Sequence, residues 1–288
     1  MTQDRDLART LAVARAAVHL AADRIRVLYD AHRSGVDAGI VQKGDDGPVT
    51  NADRAANTIL ISMLREAFPN DAILSEENSE SWITDQNDWV WMIDPLDGTK
   101  EFIKANGEFV TMVGLVHKGE PVLGVVMEPA TFDEFFAAKG LGAWRVPPGH
   151  PVSAPAIPLV ASTKTDPADM VFAVSRSHRP PKVESFCKAL GITREYISGS
   201  VGRKIALCAT GRADVYLHPS PGTKLWDLAA PHAILVEAGG CFADARGEPF
   251  VYVRKPGEVK NDIGVLAGGA ASFETMRAVC TRVWAETL

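Results

Sequence analysis

Long apolar runs are missing from this chain: no stretch reaches the roughly 18–20 residues that span a bilayer. The N-terminus alternates charge (Asp4, Arg5, Asp6, Arg9) where a signal peptide would carry an apolar core. Neither a membrane span nor a leader is expected, and a cytoplasmic location is. An excess of positive charge is missing too. Thirty lysines and arginines stand against 36 aspartates and glutamates, a formal net charge of -6, the wrong sign for a protein drawn to phosphate backbones. Nucleic acid is not an expected partner. Cysteine is scarce: Cys187, Cys208, Cys241 and Cys280 include no close pair that could open a zinc site or a redox motif, and are read as buried, reduced thiols. No internal repeat is visible.

What is present is a globular composition, 46% hydrophobic and 23% charged over 288 residues, long enough for one large or two moderate domains. Leu7, Leu11, Ala14, Val18, Ala21, Ile25 and Leu28 recur at helical spacing and predict a long amphipathic first helix. Gly44 to Pro48 is a turn, after which Asn51 or Asp53 could cap a second helix. Trp89 to Ile93 reads as a buried strand that ends at Asp94, since Pro95 offers no ladder donor. Val110–Val116 with Val122–Met127, and Phe135 to Val146 about Gly140–Gly142, read as hairpins. The proline-rich stretch from Pro147 to Pro158 is the expected linker, dividing the chain near residue 155 into an N-terminal α+β domain (1–155) and a C-terminal α/β domain (156–288). Beyond it, strands at Met170–Val174 and Ala213–Leu217 alternate with helices at Lys182–Leu190, Lys204–Thr210 and Leu228–Ala238.

Chemistry concentrates in Asp94-Pro95-Leu96-Asp97-Gly98-Thr99-Lys100. Two carboxylates three residues apart close a strand, and Gly98-Thr99 opens a helix whose free N–H groups and positive dipole end suit a phosphate. The carboxylates suit a hard divalent cation. A covalent aspartyl-phosphate route would place nucleophile and acid two residues apart, so attack by water assisted by a cation is the better fit.

The segment resembles the signature of the inositol monophosphatase superfamily of magnesium-dependent, lithium-sensitive phosphatases. Pro48-Val49-Thr50-Asn51-Ala52-Asp53, Leu74-Ser75-Glu76-Glu77, Leu225-Trp226-Asp227-Leu228-Ala229-Ala230 and Glu237-Ala238-Gly239-Gly240 follow in the family's order. Lys100, with Ser175-Arg176-Ser177-His178 and Ala213-Asp214-Val215-Tyr216, resembles the branch of bacterial 3'(2'),5'-bisphosphate nucleotidases of the CysQ type. The resemblance implies an α/β layered sandwich (αβαβα) of the sugar-phosphatase kind and two or three Mg2+ ions. These would be held by Glu76, Asp94, the Leu96 carbonyl, Asp97 and Asp227, with Asp94 as the bridging ligand. It implies Thr99 and Asp53 as the catalytic pair that relays a proton from water. Gly98, Thr99, Ser200, Lys204 and Asp227 would bind a small-molecule phosphate ester, an adenine nucleotide, through charge-assisted bonds at the Ser200–Lys204 end. Arg203, Lys224 and His178 are further candidates there, and Glu77 reads as a solvated neighbour. Hydrolysis of inositol, histidinol or fructose phosphates, or phosphate binding without catalysis, are the alternatives.

Overall fold

The computed structural model describes residues 5–44, 47–78, 87–149, 155–176, 179–218, 222–252 and 259–285. His178 and the centre of the expected linker lie outside them. Helix α1 (Leu7–Arg33) is capped by Asp6, whose side chain accepts from the Arg9 N–H. Its buried stripe runs through Leu11, Ala14, Val18, Ala21 and Ile25 but ends on Tyr29 rather than Leu28. A straight helix of 3.6 residues per turn drifts from a seven-residue repeat, so after about six turns the next residue faces inward.

A short antiparallel pair, β1 (Val41–Gln42) and β2 (Pro48–Val49), leads into α2 (Asn51–Ala67). Then come β3 (Ala72–Ser75), β4 (Trp89–Asp97), α3 (Thr99–Ile103), and the meander β5 (Val110–His117), β6 (Glu120–Glu128), β7 (Asp133–Ala138), β8 (Gly142–Val146) and β9 (Ile157–Pro158). These seven strands from β3 to β9 form one sheet in sequence order, antiparallel except for β3 with β4. Both expected hairpins are present.

The second sheet is built from β10 (Val171–Ser175), β11 (Arg194–Ser198), β12 (Val215–His218), β14 (Gly240–Asp244) and β16 (Val265–Gly269), in the order β11-β10-β12-β16-β14. Its first three strands are parallel and β16 runs antiparallel to its neighbours. Helices α4 (Pro181–Leu190), α5 (Val201–Ala209), α6 (Leu225–Glu237) and α7 (Phe273–Ala285) belong to this half, with the two-residue β13 (Thr223–Lys224) and β15 (Lys260–Asn261) paired beside α6. Helix α5 begins three residues before the expected Lys204, because Ser200 caps it by accepting the Arg203 N–H.

Period-two alternation sorts β4 into two cores. Trp91 and Ile93 pack with α1 and α2, while Val90 and Met92 face α5, α6 and the second sheet. The far side of that second sheet packs with α4 and α7. The layers are therefore α1/α2, sheet, α5/α6, sheet, α4/α7, the five-layer αβαβα order.

Helix α6 lies unusually close to the large sheet. Gly114 and Gly124 are cross-strand partners; a Cβ on Gly114 would stand 2.7 Å from the Ala230 N, and one on Gly124 would collide with the Ala230 carbonyl. Two facing glycines thus make a floor on which the helix backbone rests. No helix among the described residues is long and apolar enough to cross a membrane. All four cysteines are free; Cys208 and Cys280 are buried and Cys187 and Cys241 half-buried.

Candidate active site

Strand β4 does not stop at Asp94. Its pairing with β5 shifts register between Asp94 and Asp97 and resumes at Asp97 opposite Val110. The bulge absorbs Pro95, whose missing N–H would have ended a regular ladder. Within it the Leu96 N–H donates to Asp94 Oδ1 at 3.0 Å. Gly98 then turns the chain into α3 at φ 104°, and a Cβ there would stand 3.1 Å from the Glu108 carbonyl, so a left-handed, crowded position is filled by glycine.

Thr99 opens α3 with its hydroxyl 3.0 Å from Asp53 Oδ1 and 3.2 Å from the Leu96 carbonyl. Asp53 is reached across 46 residues because α2 begins beside β4. The cap of α2 is Thr50, not Asn51 or Asp53: its Oγ1 accepts the Ala52 N–H at 3.1 Å, while its own N–H and hydroxyl both donate to Asp53 Oδ2, at 2.7 and 2.6 Å. Asp53 closes this capping box from the third helical position. One carboxylate oxygen is thereby fixed by Thr50 and the other is presented to Thr99.

Asp227 is placed by a similar device. It occupies the third position of α6, and its Oδ2 accepts the Lys224 N–H at 2.7 Å. Pro231, four residues on, has no N–H to return to the Asp227 carbonyl. Glu76 follows β3, and its N–H donates to the Ile93 carbonyl at 3.2 Å, which sets it next to Asp94. The side chains of Glu76 and Asp94 are within hydrogen-bond reach.

Five acids thus gather where β3 and β4 end and α2 and α6 begin. Asp94 is buried, and desolvation, followed by the charges of Glu76, Asp97 and Asp227, holds its carboxyl well above the ordinary carboxylate range. Asp227 is raised in the same way, by burial and then by Asp97 and Glu76. Glu76 is pushed up to about 7, chiefly by burial. Burial also raises Asp53, against the hydrogen bonds from Thr50. Carboxylates this close repel unless a cation or protons neutralise them. Among the described residues no three acidic, histidine or cysteine side chains form a closed metal cage. The donors are neighbours that a cation would draw together, and an all-oxygen set of this kind suits Mg2+.

Ser200 and Lys204 come to the same region across 103 residues, through α5. The Ser200 hydroxyl donates to Asp97 Oδ2 at 2.6 Å, and the Gly202 N–H donates to that same oxygen at 2.7 Å. Lys204 is buried, with Nζ 2.5 Å from the Ser200 carbonyl and 3.4 Å from that of Gly199. Burial lowers it to about 8, against the pull of Asp97, Glu101 and Glu108. Arg203 pairs with Glu128 at 2.9 Å and reaches the Ser198 hydroxyl at 2.7 Å. Lys224 contributes the backbone N–H already described.

Three participants escape a reading of the sequence. Thr50 had a signal, a threonine three residues before an acid at a helix start. Lys43 had none: its ammonium pairs with Glu77 and lies 3.8 Å from Glu76, so Glu77 is a charge partner and not a solvated neighbour. Glu108 accepts from the Gly199 N–H at 2.8 Å and from Arg176, tying the two halves together beside Asp97.

Known proteins share both the fold and the motifs. The chain matches the inositol monophosphatase family over residues 6–278. It is 36% identical over 235 residues to the 3'(2'),5'-bisphosphate nucleotidase CysQ of Shigella flexneri, covering 81% of this chain and 89% of that one. It is 28% identical to 3'(2'),5'-bisphosphate nucleotidase 1 of Dictyostelium discoideum, covering 87% and 90%. Among solved structures, CysQ from Bacteroides thetaiotaomicron superimposes with a TM-score of 0.75 at 32% identity over 90% of this chain and 97% of that one. The suhB protein of Bartonella henselae superimposes with a TM-score of 0.79 at 23% identity, over 95% and 99%, a likeness of fold. The chain belongs to the inositol monophosphatase family and is a phosphatase.

Proposed function

We propose that the chain is a Mg2+-dependent 3'(2'),5'-bisphosphate nucleotidase. It removes the 3'-phosphate of adenosine 3',5'-bisphosphate to leave AMP, and acts likewise on 3'-phosphoadenylyl sulfate, in the cytoplasm. The observation that carries the chemistry is the Thr99–Asp53 hydrogen bond standing beside the carboxylates Glu76, Asp94, Asp97 and Asp227. The substrate choice is supported by the names of the relatives and by Lys100 after the threonine.

Glu76, Asp94, the Leu96 carbonyl, Asp97 and Asp227 would hold two or three Mg2+ ions. Bound there, Mg2+ acidifies water and offsets the charge of the phosphate. Thr99 Oγ1 takes the proton from the attacking water as it passes its own to Asp53 Oδ1. Burial helps, since a raised Asp53 is a stronger base than an exposed aspartate, and Thr50 keeps its other oxygen occupied. The water oxygen bonds to phosphorus as the bond from phosphorus to the ester oxygen breaks, and that oxygen takes a proton from solvent to leave as the sugar hydroxyl. The backbone N–H groups of Gly98 and Thr99 at the start of α3 receive the phosphate oxygens. Asp227 also faces the leaving sugar hydroxyl, and Ser200 and Lys204 form the substrate end through the turn they shape.

The test is phosphate release with Mg2+ from adenosine 3',5'-bisphosphate, inositol 1-phosphate, histidinol phosphate and fructose 1,6-bisphosphate, compared by kcat/KM. A preference for the nucleotide of a hundredfold or more is expected. A preference for another ester overturns the nucleotidase reading, and no Mg2+-dependent release from any of them overturns the mechanism.

A further inference from the structure

An open cavity of about 420 Å3 lies between β10, β12, α4 and α5, lined by Phe172, Ser175, Val183, Val201, Lys204 and Tyr216 among others, a size that suits a small organic ligand. Its walls come from the C-terminal half, whereas Asp53, Glu76, Asp94 and Asp97 come from the N-terminal half. A ligand that reaches from the acids into the cavity needs the two halves held at a fixed spacing. The Ser200 bond to Asp97 is one tie between them, and Glu108 is another.

Glu108 lies between α3 and β5, its own N–H donating to Asn106 Oδ1 at 3.0 Å. Its side chain reaches out of the N-terminal half. Oε2 accepts the Gly199 N–H and Arg176 Nε, both at 2.8 Å, and Oε1 accepts a second Arg176 nitrogen at 2.5 Å. Arg176 directly follows Ser175 of the cavity wall, and Gly199 opens the turn that leads to Val201 of the same wall. One carboxylate therefore holds the chain just beyond β10 and just beyond β11. The backbone is as close: a Cβ on Gly199 would stand 2.9 Å from the Glu108 carbonyl, and one on Gly98 3.1 Å from the same oxygen. The loop that carries Glu108 is thus wedged between the turn that starts α3 and the turn that starts α5.

An isolated exposed ion pair contributes little. This one is bidentate and its carboxylate also accepts a backbone N–H, and charge-assisted bonds of that kind are short and directional. Burial alone would raise the Glu108 carboxyl, but the bonds from Arg176 and Gly199 hold it below its ordinary value, so the pair is charged at neutral pH.

We infer that Glu108 is a positioning residue for the cavity: its carboxylate keeps the Arg176 end of β10 and the Gly199 turn at a fixed spacing from the phosphate-binding turn at Gly98. Its bonds go to the cavity walls and not to the acids, so it acts on the part of the ligand that enters the cavity. The inference rests on the nucleotidase reading, with the scissile phosphate at the acids and the rest of the nucleotide in this cavity.

The two products report the two ends, inorganic phosphate the acids and AMP the cavity. Their dissociation constants for the full chain are measured by calorimetry with Mg2+, alongside kcat and KM for adenosine 3',5'-bisphosphate. Glu108→Ala is expected to weaken AMP binding about tenfold and to raise KM by a similar factor, the scale of a modest misplacement, with kcat and phosphate affinity within about twofold of the wild type. Arg176→Ala, which spares the Gly199 bond, and Glu108→Gln, whose amide oxygen can still accept that N–H, are expected to weaken AMP about threefold, and they keep the test open if Glu108→Ala does not fold. Adding Arg176→Ala to Glu108→Ala should change AMP affinity by less than about twofold, since the partner is already gone. Unchanged AMP affinity in all three single variants overturns the proposal. So does a loss of phosphate affinity and kcat with AMP binding retained, which makes Glu108 a support of the Asp97 side instead. A wild-type chain that neither binds AMP nor turns over the bisphosphate shows that the nucleotidase reading itself has failed, and the proposal falls with it.

Discussion

Helices α2 and α6 solve the same local problem and reach different chemistry. Each places an aspartate at its third position and fixes one oxygen of it on the N–H of the capping residue at 2.7 Å, Asp53 on Thr50 and Asp227 on Lys224. Beyond that bond the surroundings diverge. Both oxygens of Asp53 are hydrogen-bonded to neutral hydroxyls, those of Thr50 and Thr99, with the charge of Glu77 a smaller influence, whereas Asp227 is dominated by the charges of Asp97 and Glu76. A carboxylate among hydroxyls is set up to take a proton, and one among carboxylates is set up to share a cation. The cap is generic, and the neighbours set the role.

The largest expected effect removes the centre of the anionic side. Asp94→Asn should lower kcat/KM about a thousandfold or more, the several kcal/mol that a bound cation supplies. Its Tm in EDTA should be equal to or above that of the wild type, because one member of a repelling set is gone. Mg2+ should raise the wild-type Tm and leave the variant's unchanged, and an equal rise in both would break the assignment.

The pair itself is tested next. Asp53→Asn should cost about 10²–10⁴ in kcat, the range for a lost general base, with Mn2+ affinity retained, while Asp227→Asn should lose Mn2+ affinity together with kcat. Calorimetric titration of both variants decides it, and equal losses of Mn2+ affinity would erase the distinction between the two helices.

Smaller effects displace one helix without touching the other. Gly124→Ala would push α6 off its glycine floor, at a cost of about 3 kcal/mol by overpacking, measured by urea denaturation. On the same helix the half-buried His232 is stacked on Phe242 with Nδ1 3.1 Å from the Tyr252 hydroxyl, and desolvation of its ring lowers it to about 3. The neutral form is favoured in the fold, so between about pH 6.5 and 3 the unfolded chain binds the extra proton and stability falls as pH falls. One proton contributes roughly 1.4 kcal/mol per pH unit, or about 2 kcal/mol between pH 6 and 4.5. His232→Phe should flatten that slope in denaturation at a series of pH values. Thr50→Ala, the counterpart on α2, should cost about 1 kcal/mol as a lost cap and lower kcat severalfold by freeing Asp53.

Local signals were legible wherever a period or a turn residue carried them. The stripe of α1, both hairpins and the glycine at residue 98 follow from spacing and steric freedom. Errors fell where a longer-range partner overrode the local rule. Pro95 ends an ideal ladder, but a bulge against β5 lets β4 continue to Asp97. The α5 boundary lay at Ser200, whose conformation is imposed by Glu108, Asp97 and Lys204 from other parts of the chain or the next turn. The acids of the site were legible as types and motifs, and their roles came only from the family resemblance, because a carboxylate's task depends on which charges face it.

The sequence by itself determined the elements, the family and the oxygen-rich character of the site, since these depend on residue type and near spacing. Only the tertiary structure decided that Thr99 meets Asp53, that Asp94 is surrounded by Glu76, Asp97 and Asp227, and that Lys204 turns inward to the Ser200 turn. Thr99 meets Asp53 across 46 residues and Ser200 meets Asp97 across 103, and the packing of α2, α5 and α6 against the end of β4 is what brings such distant segments together.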